Sequence, residues 1–579
     1  MERRAIVCYF FLPLLLVLGA CSAPGHLTKS TDNARKYLLG STFISRYDFI
    51  EIGDIRKFEE YYLSGNMLDQ EIEMFYQSRN YRPAWINNGE FDKNARELLH
   101  AISQADREGL YPENYGLHQI YAGLHAFKTL KENSIYFKAL GVRLDVMLTR
   151  AYLSYGNDLL SGSINPENIE IIWESHPRNK NLAPYLANAL KVNDIPASLH
   201  KLKPMHAQYW LLREKLEYLQ KHSSDHNWNV PEGFDILKVN DSAHQVLQLK
   251  KILTLTGDLT IEDSSYLKNP LFDDLLEIAV KKYQLRHDLK PDGRVGRNTL
   301  ASMYLYPDYR IDQIKLNMER IRWLPSNLGN SFIFINLPDF SLDYYADDKL
   351  ALNMKVIIGK IEDYTPVLKD TLRHIIFNPT WNVPRSIATE EILPKIKKDT
   401  SYLERNNYLL LRYSYLGDTI KPDSVNWNEI TEDNFPFYIV QKPGSSNALG
   451  EVKFNFPNIQ SIYLHDTPAD HLFHASERDF SHGCIRLEKP LQLARELLKD
   501  KEIEKDSIFN IIESDSTIVF YLRNEIPVHF TYLTAFVKNN ELHFRNDIYH
   551  FDKIKIPMMK PFADRRQSEY WLQELEAEE

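Results

Sequence analysis

Two periodicities divide the chain. From about residue 50 to residue 222, apolar side chains recur at helical spacing, as in Ala95, Leu98, Leu99 and Ile102, or Leu144, Met147, Leu148, Ala151 and Tyr152, which places each set on one stripe of a helix. The pattern predicts an all-helical domain over residues 51–225. Two further helix-like stretches, Val246 to Leu253 and Leu275 to His287, lead into the turn sequence Leu289-Lys290-Pro291-Asp292-Gly293 and a last short helix at Asn298 to Met303. They predict a three-helix module over residues 236–305. After about Ile311 the period becomes two. Ser331 to Leu337, Ser341 to Tyr345, Leu350 to Ile358, Thr371 to Phe377, Phe437 to Gln441, Ser461 to His465 and Ser507 to Ile512 read as short β-strands. Asp347-Asp348-Lys349 supplies a hairpin turn. Residues 386–436 interrupt the strands with polar, tyrosine-rich sequence too long for a turn, which predicts an inserted cap. Pro490 suits the first turn of a helix whose inner face would carry Leu491, Leu493, Ala494, Leu497 and Leu498. The whole is a multidomain α+β chain: a helical scaffold, a three-helix module, a mostly-β domain over 311–515 and a β-containing extension over 516–579.

Length agrees with this division, because 579 residues are too many for one hydrophobic core. With 44% apolar and 26% charged residues the chain is globular. Its 69 basic against 79 acidic residues argue against nucleic acid as a partner. Arg3 and Arg4 precede an apolar run from Ala5 to about Leu18, shorter than the roughly 20 residues a membrane-spanning helix needs. Residues 1–20 therefore read as an export signal. Leu18-Gly19-Ala20-Cys21 resembles the lipobox of bacterial lipoproteins, which would lipidate Cys21 and leave residues 21–50 as a tether to a membrane. An ordinary signal peptide cut nearby, with Cys21 incidental, is the alternative. The rest would face the periplasm, and Ser22 is compatible with sorting to the outer membrane.

Of three cysteines, Cys8 leaves with the signal and Cys21 would carry lipid, so Cys484 is the lone thiol of the exported part. A lone thiol in an oxidising compartment is a liability unless it is used. Around it stand Tyr463-Leu464-His465-Asp466 at a strand end and Ser481-His482-Gly483-Cys484-Ile485-Arg486-Leu487. A thiol attacks only as thiolate, and either His465 or His482 could take its proton. The amides of Gly483 and Cys484 could point at a developing oxyanion, and Arg486 offers a fixed positive charge to a substrate carboxylate. Two other readings stay open. His465, Asp466, His471, His474, His482 and Cys484 could ligate a metal, though paired Cys-x-x-Cys spacing is missing. Cys484 could also simply be packed.

His465, followed 19 residues later by Cys484 within Ser481-His482-Gly483-Cys484-Ile485-Arg486-Leu487, resembles the signature of the murein L,D-transpeptidase family. Asn317-Met318-Glu319-Arg320, Phe377-Asn378-Pro379-Thr380-Trp381-Asn382-Val383-Pro384, Pro443 to Gly450 and Lys453-Phe454-Asn455-Phe456-Pro457-Asn458 resemble its large multidomain branch. Ala279 to His287 with Gly296-Arg297-Asn298-Thr299-Leu300 resembles the three-helix peptidoglycan-binding domain, departing from it at Asp288, where glycine is usual, and at Met303-Tyr304. The resemblance implies a cysteine acyltransferase. Cys484, activated by His465, would attack a peptidoglycan tetrapeptide stem, release D-alanine and pass the acyl group to a diamino-acid amine of a second stem. Ser481, His482, Gly483 and Tyr463 would shape the pocket, while Arg486, Trp381 and Asn382 would bind substrate. Carbapenems are implied as covalent inhibitors, and neither a metal nor an organic cofactor is implied. An L,D-carboxypeptidase using water as acceptor, and a non-catalytic peptidoglycan-binding lipoprotein, are the competing readings.

Overall fold

The computed structural model describes residues 67–561 except 88–89, 131–134, 166–177, 179, 225–227, 502–504 and 515. Cys21, the export signal and the tether lie outside the described residues. Among the described residues no helix is long and apolar enough to cross a membrane.

The predicted helical region contains the helices Met67–Ser78, Lys93–Ser103, Leu117–Thr129, Ile135–Ser161, Leu182–Val192 and Ile195–His200, with a two-residue hairpin of β1 (Ile86–Asn87) and β2 (Glu90–Phe91). Ala95, Leu98, Leu99 and Ile102 share one core with Leu144, Leu148, Ala151 and Tyr152, as their spacing requires. Asp145, fully buried on the longest helix, accepts hydrogen bonds from the Ala84 and Trp85 amides and the Tyr76 hydroxyl. Those bonds tie the loop before β1 to the bundle.

The helix Ala207–His222, placed in the scaffold by sequence, bridges two units: Tyr209 and Arg213 reach Glu108 of the scaffold. Its Tyr209, Leu212, Leu216 and Leu219 join the core of the three-helix module, formed by His244–Leu255, Asp274–Arg286 and Arg297–Tyr304. Within that module Gln284 braces the turn, donating to the Arg294 carbonyl (2.8 Å) and accepting from the Gly293 amide (2.9 Å). Asp288 adopts φ +57°, the left-handed conformation in which glycine is unstrained and aspartate is tolerated.

After a connecting helix, Asp308–Arg322, a nine-stranded sheet carries β3 (Phe332–Asn336), β4 (Ser341–Ala346), β5 (Lys349–Gly359), β6 (Lys369–Phe377), β11 (Val452–Asn455), β12 (Leu464–His465), β13 (Asp479–Ser481), β14 (Ile485–Leu487) and β15 (Ile518–Thr531). The order is β13-β5-β14-β12-β11-β6-β15-β3-β4, and β4 also pairs with β5, so the sheet closes on itself. Its interior holds Val356, Ile375, Phe454, Leu464 and Ile485. The predicted turn at Asp347-Asp348 has both residues at positive φ, as a tight hairpin demands.

Three sequence expectations need correcting. The cap is larger than residues 386–436: β7 (Trp381–Asn382), β8 (Tyr408–Arg412), β9 (Thr419–Ile420) and β10 (Phe437–Gln441) form a separate sheet in the order β7-β10-β8-β9. Alternation identifies a strand but not the sheet it joins, so Phe437–Gln441 belongs to the cap. Ser507 to Ile512 lies in a helix, Lys505–Glu513, because Ile508, Ile511 and Ile512 satisfy helical spacing as well as a short apolar strand would. Finally, β15 belongs to the nine-stranded sheet, between β6 and β3, rather than to an extension. Arg523-Asn524-Glu525 and a register break between Tyr521 and Ile526 obscure its alternation. Beyond it, β16 (Ala535–Lys538), β17 (Glu541–Phe544) and the helix Phe551–Met559 pack back on the connecting helix, where Asp552 pairs with Arg320 at 2.6 Å.

Candidate active site

Register places the site. β12 and β14 run parallel with Leu464 opposite Ile485 and His465 opposite Arg486. Leu464 and Ile485 are buried in the core, so alternation turns Tyr463, His465, Cys484 and Arg486 to the other face. On the far side of β12, antiparallel β11 sets Phe454 against Leu464 and Lys453 against His465, which brings Lys453 to that same face.

Cys484 sits on the turn between β13 and β14, and hydrogen bonds hold that turn still. Ser481 Oγ donates to the Cys484 carbonyl (2.6 Å) and accepts from the Gly483 amide (3.1 Å). Thr365 Oγ1 donates to the Gly483 carbonyl (2.8 Å), and the Tyr549 hydroxyl donates to the Gly359 carbonyl (2.6 Å). Gly483 has φ +100°, and a Cβ there would meet Ile462 Cδ1 at 3.3 Å, so the turn needs glycine.

The Cys484 sulfur lies 3.9 Å from the Ser461 carbonyl oxygen. Burial pushes its thiol above the ordinary cysteine range, outweighing the neighbouring Tyr463 and the charges of Lys453 and Arg486, which pull it down. Burial pushes the Tyr463 hydroxyl up, and Trp381 of the cap is among the groups that act on it. His465 is almost fully buried, and its Nδ1–H donates to the Asp466 carbonyl at 2.5 Å. A carbonyl can only accept, so Nε2 carries the free lone pair. Burial first, and Arg486 second, push His465 down to about 3. It is a neutral imidazole. The Asp466 carboxyl, pushed up to about 6 by burial, accepts the Glu451 amide at 2.8 Å. Gly450 before it has φ +62°, and the carboxylate fills the space a Cβ would take.

The structure separates the sequence-nominated residues. Cys484, His465, Tyr463, Arg486 and Trp381 converge. His482 lies apart from these: it is exposed and its Nε2 lies 2.8 Å from Glu391 Oε1 of the cap. The Gly483 amide, nominated for the oxyanion, is already bound by Ser481 Oγ, so Ser481 and Gly483 build the turn. Asn382 is exposed, pairs with Val440 in the cap sheet and makes none of these contacts. His471 and His474 are exposed on a short helical turn, and among the described residues no three His, Cys, Asp or Glu gather as metal ligands. Sequence reasoning gave no role to Lys453, Glu391, Thr365 and Tyr549. The polar-apolar alternation of Lys453-Phe454-Asn455-Phe456 was a usable signal for Lys453, but only once β11 was known to pair with β12.

Among the described residues the closed sheet presents one free cysteine on the same face as a neutral imidazole. Residues 330–504 match the family profile described as the L,D-transpeptidase catalytic domain. Residues 70–216 match a scaffold domain and residues 243–303 a peptidoglycan-binding domain. The chain thus carries an L,D-transpeptidase catalytic domain joined to scaffold and peptidoglycan-binding domains. A relative in Haemophilus influenzae, named "Putative L,D-transpeptidase", is 36% identical over 283 residues, 48% of this chain and 57% of that protein. The match therefore spans little more than half of that relative. An L,D-transpeptidase structure from Mycobacterium smegmatis is 11% identical, with a TM-score of 0.17, over 35% of this chain and 58% of that one. One from Xylanimonas cellulosilytica is 13% identical, with a TM-score of 0.16, over 52% and 99%. Scores that low decide nothing about the fold.

Proposed function

We propose that the protein is a peptidoglycan L,D-transpeptidase with Cys484 as nucleophile and His465 as base. The observation that carries this reading is the shared sheet face of Cys484, Tyr463 and His465 inside an L,D-transpeptidase catalytic domain. Cys484 sulfur attacks the carbonyl carbon of the third residue of a tetrapeptide stem while its proton passes to His465 Nε2. The tetrahedral oxyanion collapses, the amide C–N bond breaks, and the proton goes from His465 to the departing D-alanine amine. A side-chain amine of a second stem then attacks the thioester. Its proton moves to His465, the C–S bond breaks, and the thiolate recovers that proton. Because the Gly483 amide is engaged, the Cys484 amide and the Tyr463 hydroxyl are the donors left for the oxyanion. The cap, reaching the site through Trp381 and Glu391, shelters the donor.

Purified protein given disaccharide tetrapeptides is expected to release D-alanine and form dimers linked between third residues, and Cys484→Ala to do neither. Undiminished activity in Cys484→Ala would falsify the mechanism. Trimmed monomers without dimers would instead make the enzyme an L,D-carboxypeptidase. Intact-mass detection of one carbapenem adduct, lost in Cys484→Ala, reports the nucleophile without the natural substrate. Lipidation of Cys21 and anchoring at the periplasmic side of the outer membrane complete the reading. Cys21→Ser, expressed in a bacterium that processes lipoproteins, should move the protein from the membrane to the soluble periplasmic fraction.

A further inference from the structure

The Lys453 ammonium stands 3.7 Å from the centroid of the Tyr463 ring, and its backbone faces His465 across β11 and β12. Among the described residues no carboxylate comes within 4.0 Å of it. A half-buried cation without a carboxylate is costly, so the fold must gain something by holding it. What it faces is the nucleophile: Cys484 is the group whose charge favours the ammonium, against the burial that disfavours it. The ring beneath the ammonium belongs to Tyr463, which precedes Leu464 as Cys484 precedes Ile485 in the paired strands β12 and β14 and so shares the face of the sulfur. A cation on the face of a tyrosine polarises the ring's hydroxyl as a donor, and its own field acts on the sulfur directly.

Resting on the reading of Cys484 as nucleophile, we propose that Lys453 is the electrostatic positioning residue of the site: seated on the Tyr463 ring opposite His465, it holds the negative charge that forms on Cys484. The other titratable or charged groups around the sulfur are differently placed. Arg486 on β14 is faced by Glu391 of the cap, which also pairs with His482. His465 on β12 is neutral and donates to Asp466. Asp363, on the loop packed under Gly483, pairs with Lys360 at 3.2 Å. Lys453 and Arg486 are thus the two cations whose charge acts on Cys484, and Lys453 is the one seated on the Tyr463 ring.

The test is the pH dependence of Cys484 alkylation by iodoacetamide in the full chain, read by peptide mass spectrometry so that Cys8 and Cys21 do not contribute. Lys453→Met keeps the side chain's length and apolar stem. It is expected to raise the alkylation midpoint by about one pH unit, slowing the reaction roughly tenfold near neutrality. Lys453→Arg is expected to restore most of the parent profile, and both variants should keep the parent melting temperature within a few degrees. A midpoint unmoved in Lys453→Met, with parental folding, overturns the proposal, as does a shift that Lys453→Arg fails to rescue. A change confined to the KM for the stem also overturns it, since Lys453 would then hold substrate. If the parent itself shows no ionisation-linked alkylation, the failure lies with Cys484 as nucleophile and not with Lys453.

Discussion

His465 is the side chain whose protonation state the fold fixes most firmly. Buried beside Arg486, with Nδ1 committed to the Asp466 carbonyl, it stays neutral down to about 3, and burial pushes His543 down to about 4 in the same sense. An unfolded histidine takes a proton near pH 6.5. Protons therefore favour the unfolded chain throughout the interval below 6.5, and the contribution of His465, complete above that pH, is lost as pH falls toward 3. Denaturant midpoints measured at pH 7, 5.5 and 4 should fall more steeply for the parent than for His465→Gln, which has no proton to take up. The difference should reach a few kcal/mol at most, at ~1.4 kcal/mol per pH unit. Parallel slopes would show that His465 titrates normally in the folded chain. At this scale the sequence was informative for a physical reason. Cys484 and His465 are rare chemical types at short separation, and Gly483 announces a backbone only glycine tolerates. Lys453 is a common type, and its role comes from a strand pairing that local spacing does not encode.

At the scale of elements, the cap is a unit of its own. Val383, Ile392, Ile396, Leu410, Trp427 and Ile439 form a separate hydrophobic core, so residues 381–441 close over the site without sharing the interior of the main sheet. Ile439 is fully buried on β10, the strand flanked by β7 and β8. Ile439→Ala removes about 2–4 kcal/mol of packing, and because that core is local the loss should be local. Amide exchange is expected to quicken in residues 381–441 while β5, β6 and β11 keep their protection, and Cys484 acylation should slow as the cap loosens over the site. Uniform loss of protection would mean that cap and sheet unfold as one. The insertion was legible because a long polar segment broke a run of strands. Its edges were not, since Trp381 and Phe437–Gln441 look like any other β sequence until their partners are known.

For the whole molecule, the question is what couples the scaffold to the catalytic domain, and the answer turns on Arg322. This fully buried guanidinium, at the end of the connecting helix, pairs with Glu319 (3.0 Å), donates to the Tyr209 hydroxyl (3.0 Å) and reaches the Glu108 carbonyl. Glu319 in turn accepts the amides of Ser163 and Ile164 from the scaffold. The Glu108 carboxylate binds Lys203 (2.7 Å) and Arg213 (2.8 Å). No stretch of sequence foretold this junction, because its members lie up to 214 residues apart and read singly as ordinary surface charges. Removing one partner from a buried network strands the others, at about 3–5 kcal/mol. Arg322→Met should therefore lower the unfolding midpoint by that amount and open the scaffold junction to limited proteolysis. Arg322→Lys should fall between, since an ammonium cannot reproduce the guanidinium fork. The catalytic sheet has its own core, so one carbapenem adduct per chain should still form on Cys484 in Arg322→Met below its melting temperature. A variant with the parent's midpoint and proteolytic pattern would show that apolar packing alone joins the domains. Loss of the adduct in folded protein would show that the junction reaches the active site.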